Sequence, residues 1–283
     1  MLVLLLLYGV AIIGTAEDVE RNTPYYIWKT LLIQLLFLDA AKVEGNSYEA
    51  VDIHKLLERE CDEQFKPFIP LLNNILPLKI PETDMTRSLS NRQRSVHICN
   101  LILHLINKRG SNRPLVLILD NVQFIDSESL AVVYSVAREL SDRILLLLST
   151  RSFPEPAPHS FKLAVALPNT THIRLKPMHP LECLRIACNR IGAEIRTLPA
   201  SLQEQLLKAE GNPFLAEQIA LSCTAAGAIT IDKEHGGTIV VTGDVAAVPI
   251  SSVMQGMITT WMDRLPSTQQ LVLQVGTLCS EDE

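Results

Sequence analysis

The chain has 283 residues, 47% hydrophobic and 20% charged, which is apolar enough to bury one large core or two small ones and excludes a disordered or fibrous polymer. Its formal net charge of −6 is spread along the sequence and argues against a broad nucleic-acid surface, which needs clustered lysine and arginine in excess. Six cysteines without a Cys-x2-Cys pair read as reduced, buried thiols of a cytoplasmic protein rather than as a disulfide framework or a zinc site.

Met1 to Ala16 is almost wholly apolar, and two readings of it stand. Gly14-Thr15-Ala16 would serve as a signal-peptidase site, making the segment a secretory signal or membrane anchor. However, the start carries no lysine or arginine, and the run is shorter than the roughly 20 residues of a membrane span. The competing reading places Val10–Ile13 as a buried strand in the same sheet as Leu115–Leu119. Gly9 and Gly14 form a Gly-x4-Gly pair followed by Thr15 and Ala16, so the lysine that phosphate binding needs is missing and the spacing is read as coincidence.

Thr23-Pro24 opens the next segment with a cap and a proline suited to a first helical turn, followed by apolar residues at helical spacing from Ile27 to Leu36. Helical patterns recur over Tyr48–Cys61 and Phe65–Leu76. The polar stretch Pro81 to Arg92 is expected as an exposed loop. Val96–Ile106 is an apolar helix predicted to end at Lys108-Arg109-Gly110, where cations and glycine mark a carboxyl terminus.

The most informative segment follows. Leu115–Leu119 is a continuous apolar run, the pattern of a parallel strand buried on both faces, and it delivers Asp120 at its carboxyl end, where α/β sheets hold ligands. Asp126 then caps a helix running to about Leu140, and Arg143–Leu148 is a second buried strand, so strand, helix, strand predicts a right-handed parallel crossover. Arg151, just past that strand, faces the same crevice as Asp120; the plain alternative is a solvated loop arginine. His159, His172 and His179 are too scattered for a metal site.

Lys176-Pro177-Met178-His179-Pro180 ends the α/β pattern, and a domain boundary is placed there. Helices follow from Pro180 to about Arg190 and from Ser201, and Gly211-Asn212-Pro213 breaks one helix and starts another, an ordinary junction on turn chemistry alone. Ala228–Ile231 and Thr238–Val241 read as a hairpin around Gly236-Gly237. Helical patterns over Ser251–Leu265 and Ser267–Leu278 close the chain, a hairpin with short helices suiting the start of a winged-helix domain. The expected division is an α/β core over 1–175, a helical subdomain over 176–226, and an incomplete hairpin and winged-helix start over 227–283.

Taken together, the Asp120 strand with Gln123 and Asp126, the Leu145–Arg151 strand, Gly211-Asn212-Pro213, and Val248–Val253 through Asp263-Arg264-Leu265 resemble the signal-transduction (STAND) branch of the AAA+ ATPases. Asn22-Thr23-Pro24-Tyr25-Tyr26 through Trp28 and Asp120-Asn121-Val122-Gln123-Phe124 look most similar to the ATPase-like module of the soluble, type 10 adenylyl cyclases. The resemblance covers nearly the whole chain and implies an incomplete P-loop-NTPase-like parallel sheet. It assigns Asp120 to the Walker B magnesium position, Thr150 and Arg151 to the strand-end nucleotide contacts, and Gly211 and Pro213 to the adenine contacts.

Two departures from the family follow. Asn121 stands where a second acid commonly polarises water, and an amide cannot accept a proton as a carboxylate does. No Gly-x4-Gly-Lys-[Ser/Thr] loop occurs in the sequence, which removes most of the charge complementarity for a triphosphate. The expectation is a regulatory, catalytically incompetent module of cAMP signalling, truncated before the phosphate loop and the cyclase domains, binding ATP and magnesium weakly or not at all. Its partner would be the remainder of a larger chain or another protein, with no nucleic acid and no stable membrane span; a non-enzymatic interaction scaffold is the alternative.

Overall fold

A computed structural model describes residues 9–38, 50–142, 144–151, 153, 157–232, 236–248, 270 and 272. It divides the chain into two compact units, Met1–His172 and Ile173–Glu283.

The first unit is built on three parallel strands in the order β1 (Val10–Thr15), β2 (Leu115–Asp120) and β3 (Ile144–Leu148). The register aligns Ile12 with Leu117 and Leu146, and Thr15 with Asp120. Of the two readings of the amino-terminal segment, the strand is the one found for Val10–Thr15; residues 1–8 of that segment lie outside the described residues.

The register separates the sheet's faces. Ile12, Leu115, Leu117, Leu119 and Ile144 are buried in the main core with Trp28, Leu31, Leu101, Ile102, Leu105, Val132 and Val136. They are covered by α1 (Tyr26–Leu36), α4 (Asn91–Asn112) and α5 (Ser127–Glu139). The other face is apolar yet open among the described residues, with Ile13 49% and Leu147 44% exposed. The continuous apolar runs of β2 and β3 reflect strands suited to burial on both faces, of which one is covered here.

Gly14 sets how closely α1 approaches β1. A Cβ there would lie 2.8 Å from Ile27 Cγ1 and 2.9 Å from Leu31 Cγ, so a side chain would force the layers apart. On the outer edge of β1, the Gln34 amide satisfies both backbone groups of Ile13, its Oε1 accepting from the N–H at 3.0 Å and its Nε2 donating to the carbonyl at 2.6 Å. An edge strand left with such groups open is a template for pairing with another chain.

The start of α1 differs from the expectation. Tyr25, not Thr23, occupies the cap position, at φ 61° in the left-handed region, while the Thr23 hydroxyl donates to Glu20 Oε2 at 2.6 Å. The reason is tertiary: Asp126, distant in sequence and buried, accepts the Tyr25 N–H at 3.1 Å through Oδ1. The same oxygen caps α5 by accepting the Ser129 N–H at 2.7 Å, and the Trp28 indole N–H donates to the Ser129 carbonyl at 3.2 Å.

Three further elements depart from the sequence pattern. Lys66–Asn74 is a 3-10 helix containing Pro67 and Pro70, whose missing N–H groups deny an α-helix its ladder. The stretch Pro81 to Arg92 contains the short helix α3 (Asp84–Arg87) and the fully buried Thr86; Arg94 ties it down with two 2.9 Å bonds to the Glu82 carboxylate and one of 2.8 Å to the Thr86 carbonyl. Helix α4 runs past Gly110 to Asn112. Its Arg109 is buried, reaching Glu60 of α2 (Ala50–Glu60) at 3.3 Å and the Leu36 carbonyl at 3.2 Å, and these contacts carry the helix beyond its glycine.

After β3, α6 (His159–Val165) packs on α5. The second unit has its own core of Cys183, Leu184, Cys188, Leu202, Leu206, Ile219, Cys223 and Ile229. There α7 (Pro180–Ile191) packs along α9 (Pro213–Ala225), with α8 (Ala200–Leu207) against both. The antiparallel hairpin of β4 (Ile229–Asp232) and β5 (Thr238–Val241) follows. The patterns over 251–265 and 267–278, and with them the winged-helix start, lie outside the described residues apart from Gln270 and Val272. No described helix is long and apolar enough to cross a membrane.

Candidate functional site

Because β2 is central and all three strands run parallel, their carboxyl ends meet at one edge of the sheet. Asp120 ends β2 there, half-buried, with its backbone carbonyl accepting the Ala16 N–H at 2.9 Å. Its side-chain Oδ1 accepts the hydroxyl of Ser149, the first residue beyond β3. Asn121 follows at φ 58°, a left-handed conformation that asparagine tolerates better than most residues. Its N–H donates to Ser149 Oγ at 3.3 Å.

The network continues away from the carboxylate. Gln123 donates to Asn121 Oδ1 at 3.3 Å and accepts the Arg151 N–H at 3.0 Å. Thus the two loops that leave β2 and β3 are joined through Asn121, Gln123, Ser149 and the backbone of Arg151. The Arg151 side chain is exposed, and the exposed Thr150 turns its hydroxyl onto the Arg151 carbonyl at 2.7 Å. Asp120 and the backbone of Arg151 therefore share one strand-end network, while the Arg151 side chain makes no contact with Asp120 in it.

Ser149 was not singled out by sequence reasoning, although it precedes Thr150 by one residue. The alignment of Leu119 with Leu148 is what sets it opposite Asp120, and two apolar runs of similar length do not reveal their register.

Gly211 and Pro213 belong to the second unit. Gly211, at φ 81°, lies where a Cβ would be 2.7 Å from Pro177 Cβ and 2.8 Å from the Met178 carbonyl, and its carbonyl accepts the Met178 N–H at 2.9 Å. Asn212 caps α9 through Leu215 N–H at 3.2 Å, and Pro213 opens the helix. Backbone packing and helix initiation thus account for Gly211-Asn212-Pro213 on its own terms.

A cavity of about 450 Å³ is lined by Arg185, Asn189 and Glu194, and one of about 350 Å³ by Phe65, His104 and Glu139; neither is lined by Asp120, Ser149 or Arg151. Among the described residues no group of three or more His, Cys, Asp or Glu is arranged to hold a metal. One carboxylate beside hydroxyls does not fit a dedicated protein cage. It does fit magnesium that arrives with a nucleotide, since such ions take one or two carboxylates and complete their shell with phosphates and water.

The architecture defined so far is a mixed α/β protein whose three-stranded parallel sheet presents an acid at the end of its central strand, the place where open α/β sheets bind ligands. Over 212 residues the sequence is 22% identical to adenylate cyclase type 10 of Rattus norvegicus and 23% identical to that of Mus musculus, covering 75% of this chain and 12% of each relative. Adenylate cyclase type 10 of Oryctolagus cuniculus is 21% identical over 211 residues, 74% of this chain and 12% of the relative. No family model matches the chain, and no solved structure matches it. The similarity is low in identity and broad in coverage, and it supports an adenylyl cyclase-related region.

Proposed function

We propose that this chain is a regulatory, nucleotide-binding-type module of an adenylyl cyclase-related protein acting in cAMP signalling, without catalytic power of its own. The observation that carries the reading is Asp120 at the carboxyl end of the central parallel strand, in a chain similar over three quarters of its length to adenylate cyclase type 10. The module belongs to the signal-transduction branch of the AAA+ NTPases, with 176–226 as its helical subdomain, and it works in the cytoplasm.

Asp120 is the magnesium position. Thr150 and Arg151 flank the nucleotide from the strand end. Asn121 leaves the site without the acid that would activate water, and no lysine-bearing phosphate loop neutralises a triphosphate. ATP and magnesium therefore bind weakly or not at all in this form, and the working partner is another protein or the remainder of a larger chain.

A fluorescent ATP-analogue titration with and without magnesium tests the reading. Negligible affinity is expected, and submicromolar, magnesium-dependent binding overturns it. The open apolar face carrying Ile13 and Leu147 favours a second reading, a non-enzymatic interaction scaffold. Asp120→Ala discriminates: a nucleotide-type module loses whatever thermal stabilisation magnesium and nucleotide give, and a scaffold is indifferent.

A further inference from the structure

Ser149 is where the strand-end network converges. Its backbone is fixed by two bonds to the β2 segment, its N–H donating to the Leu119 carbonyl at 3.0 Å and its carbonyl accepting the Val122 N–H at 2.9 Å. The hydroxyl then has little freedom. It donates to Asp120 Oδ1 and accepts the Asn121 N–H at 3.3 Å, so its proton is directed at the carboxylate while a lone pair receives the amide.

We propose that Ser149 is a positioning residue for Asp120: it holds the carboxylate by one oxygen so that the other is presented at the strand end to a divalent cation carried by a nucleotide. The inference rests on the reading of Asp120 as a metal position. An aspartate rotates freely about its terminal torsion unless a donor fixes it, and outer partners of this kind typically change metal affinity about 10–100-fold when removed. Ser149 is exposed, which sets the expected loss at the lower end, about tenfold. The link from Asn121 through Gln123 to the Arg151 N–H supplies reporters beside the carboxylate.

The test is titration of the full chain with manganese in the presence of ATP, whose phosphates complete the ion's shell, read as paramagnetic broadening of the Asn121, Gln123 and Arg151 amide resonances. Broadening confined to this region is expected in the wild type. Ser149→Ala should need about ten times more manganese, Ser149→Thr, which keeps the hydroxyl, should recover the wild-type curve, and Asp120→Asn should abolish the local effect. If Asp120→Asn abolishes broadening while Ser149→Ala follows the wild-type curve, the role of Ser149 fails and the metal position stands. If the wild type shows no local broadening, or Asp120→Asn retains it, the metal position fails and this inference with it. Trp28 fluorescence, which reports on the core, checks that each variant is folded; a misfolded Ser149→Ala leaves the decision to Ser149→Thr, whose failure to match the wild type overturns the role.

Discussion

Replacing Asp126 with alanine removes one oxygen that serves two buried partners. Oδ1 accepts the Ser129 N–H at 2.7 Å, capping α5, and the Tyr25 N–H at 3.1 Å, anchoring the residue that opens α1 in a left-handed conformation. Loss of an aspartate cap costs about 0.5–2 kcal/mol. Leaving the Tyr25 N–H without an acceptor adds about 1–3 kcal/mol, since Asp126 and Tyr25 are both buried and water does not replace the bond. The expected destabilisation is therefore about 1.5–5 kcal/mol, a large part of an ordinary domain's margin. Urea unfolding followed by tryptophan fluorescence reads it directly, because the Trp28 indole N–H bonds the Ser129 carbonyl in the same junction. Asp126→Asn keeps an acceptor oxygen and should recover at least half of the loss. An Asp126→Ala midpoint corresponding to less than about 0.5 kcal/mol, the scatter of unimportant surface changes, would refute the reasoning.

Gly14→Ala places a methyl group 2.8 Å from Ile27 Cγ1 and should cost about 1–3 kcal/mol in the same unfolding assay, as overpacked cores do. Glu60→Ala leaves the Arg109 guanidinium, whose side chain is 8% exposed, without the carboxylate at 3.3 Å; a loss of about 3–5 kcal/mol is expected, and the double variant with Arg109→Met should recover part of it. Burial pushes the Cys61 thiol up to about 11 from its ordinary 9.0. The folded chain thus keeps a proton that the unfolded chain releases. The stability this provides is complete below pH 9.0 and is lost as the pH rises through about 11, so Cys61→Ala should flatten the fall in unfolding free energy measured between those limits. Gln34→Ala uncovers both backbone groups of Ile13 on the edge of β1 and should increase concentration-dependent association, measured by light scattering.

The sequence by itself determined the strand at Leu115–Leu119, a second within Arg143–Leu148, the Asp126 cap and the hairpin at Gly236-Gly237, and offered Val10–Ile13 as a strand beside a signal-segment reading, because apolar runs, cap chemistry and turn glycines act within a few residues. It also delivered Asp120 to the end of a buried strand and showed Asn121 beside it. What it left open depends on contacts between residues far apart along the chain. Tyr25 opens α1 because Asp126, about a hundred residues later, fixes its N–H; α4 passes its glycine because Arg109 reaches Glu60 and Leu36; and, among the described residues, one sheet face stays open although both read as apolar. Ser149 joins the Asp120 site because the β2–β3 register sets the two opposite each other. Register is a relation between two strands, written in neither one alone.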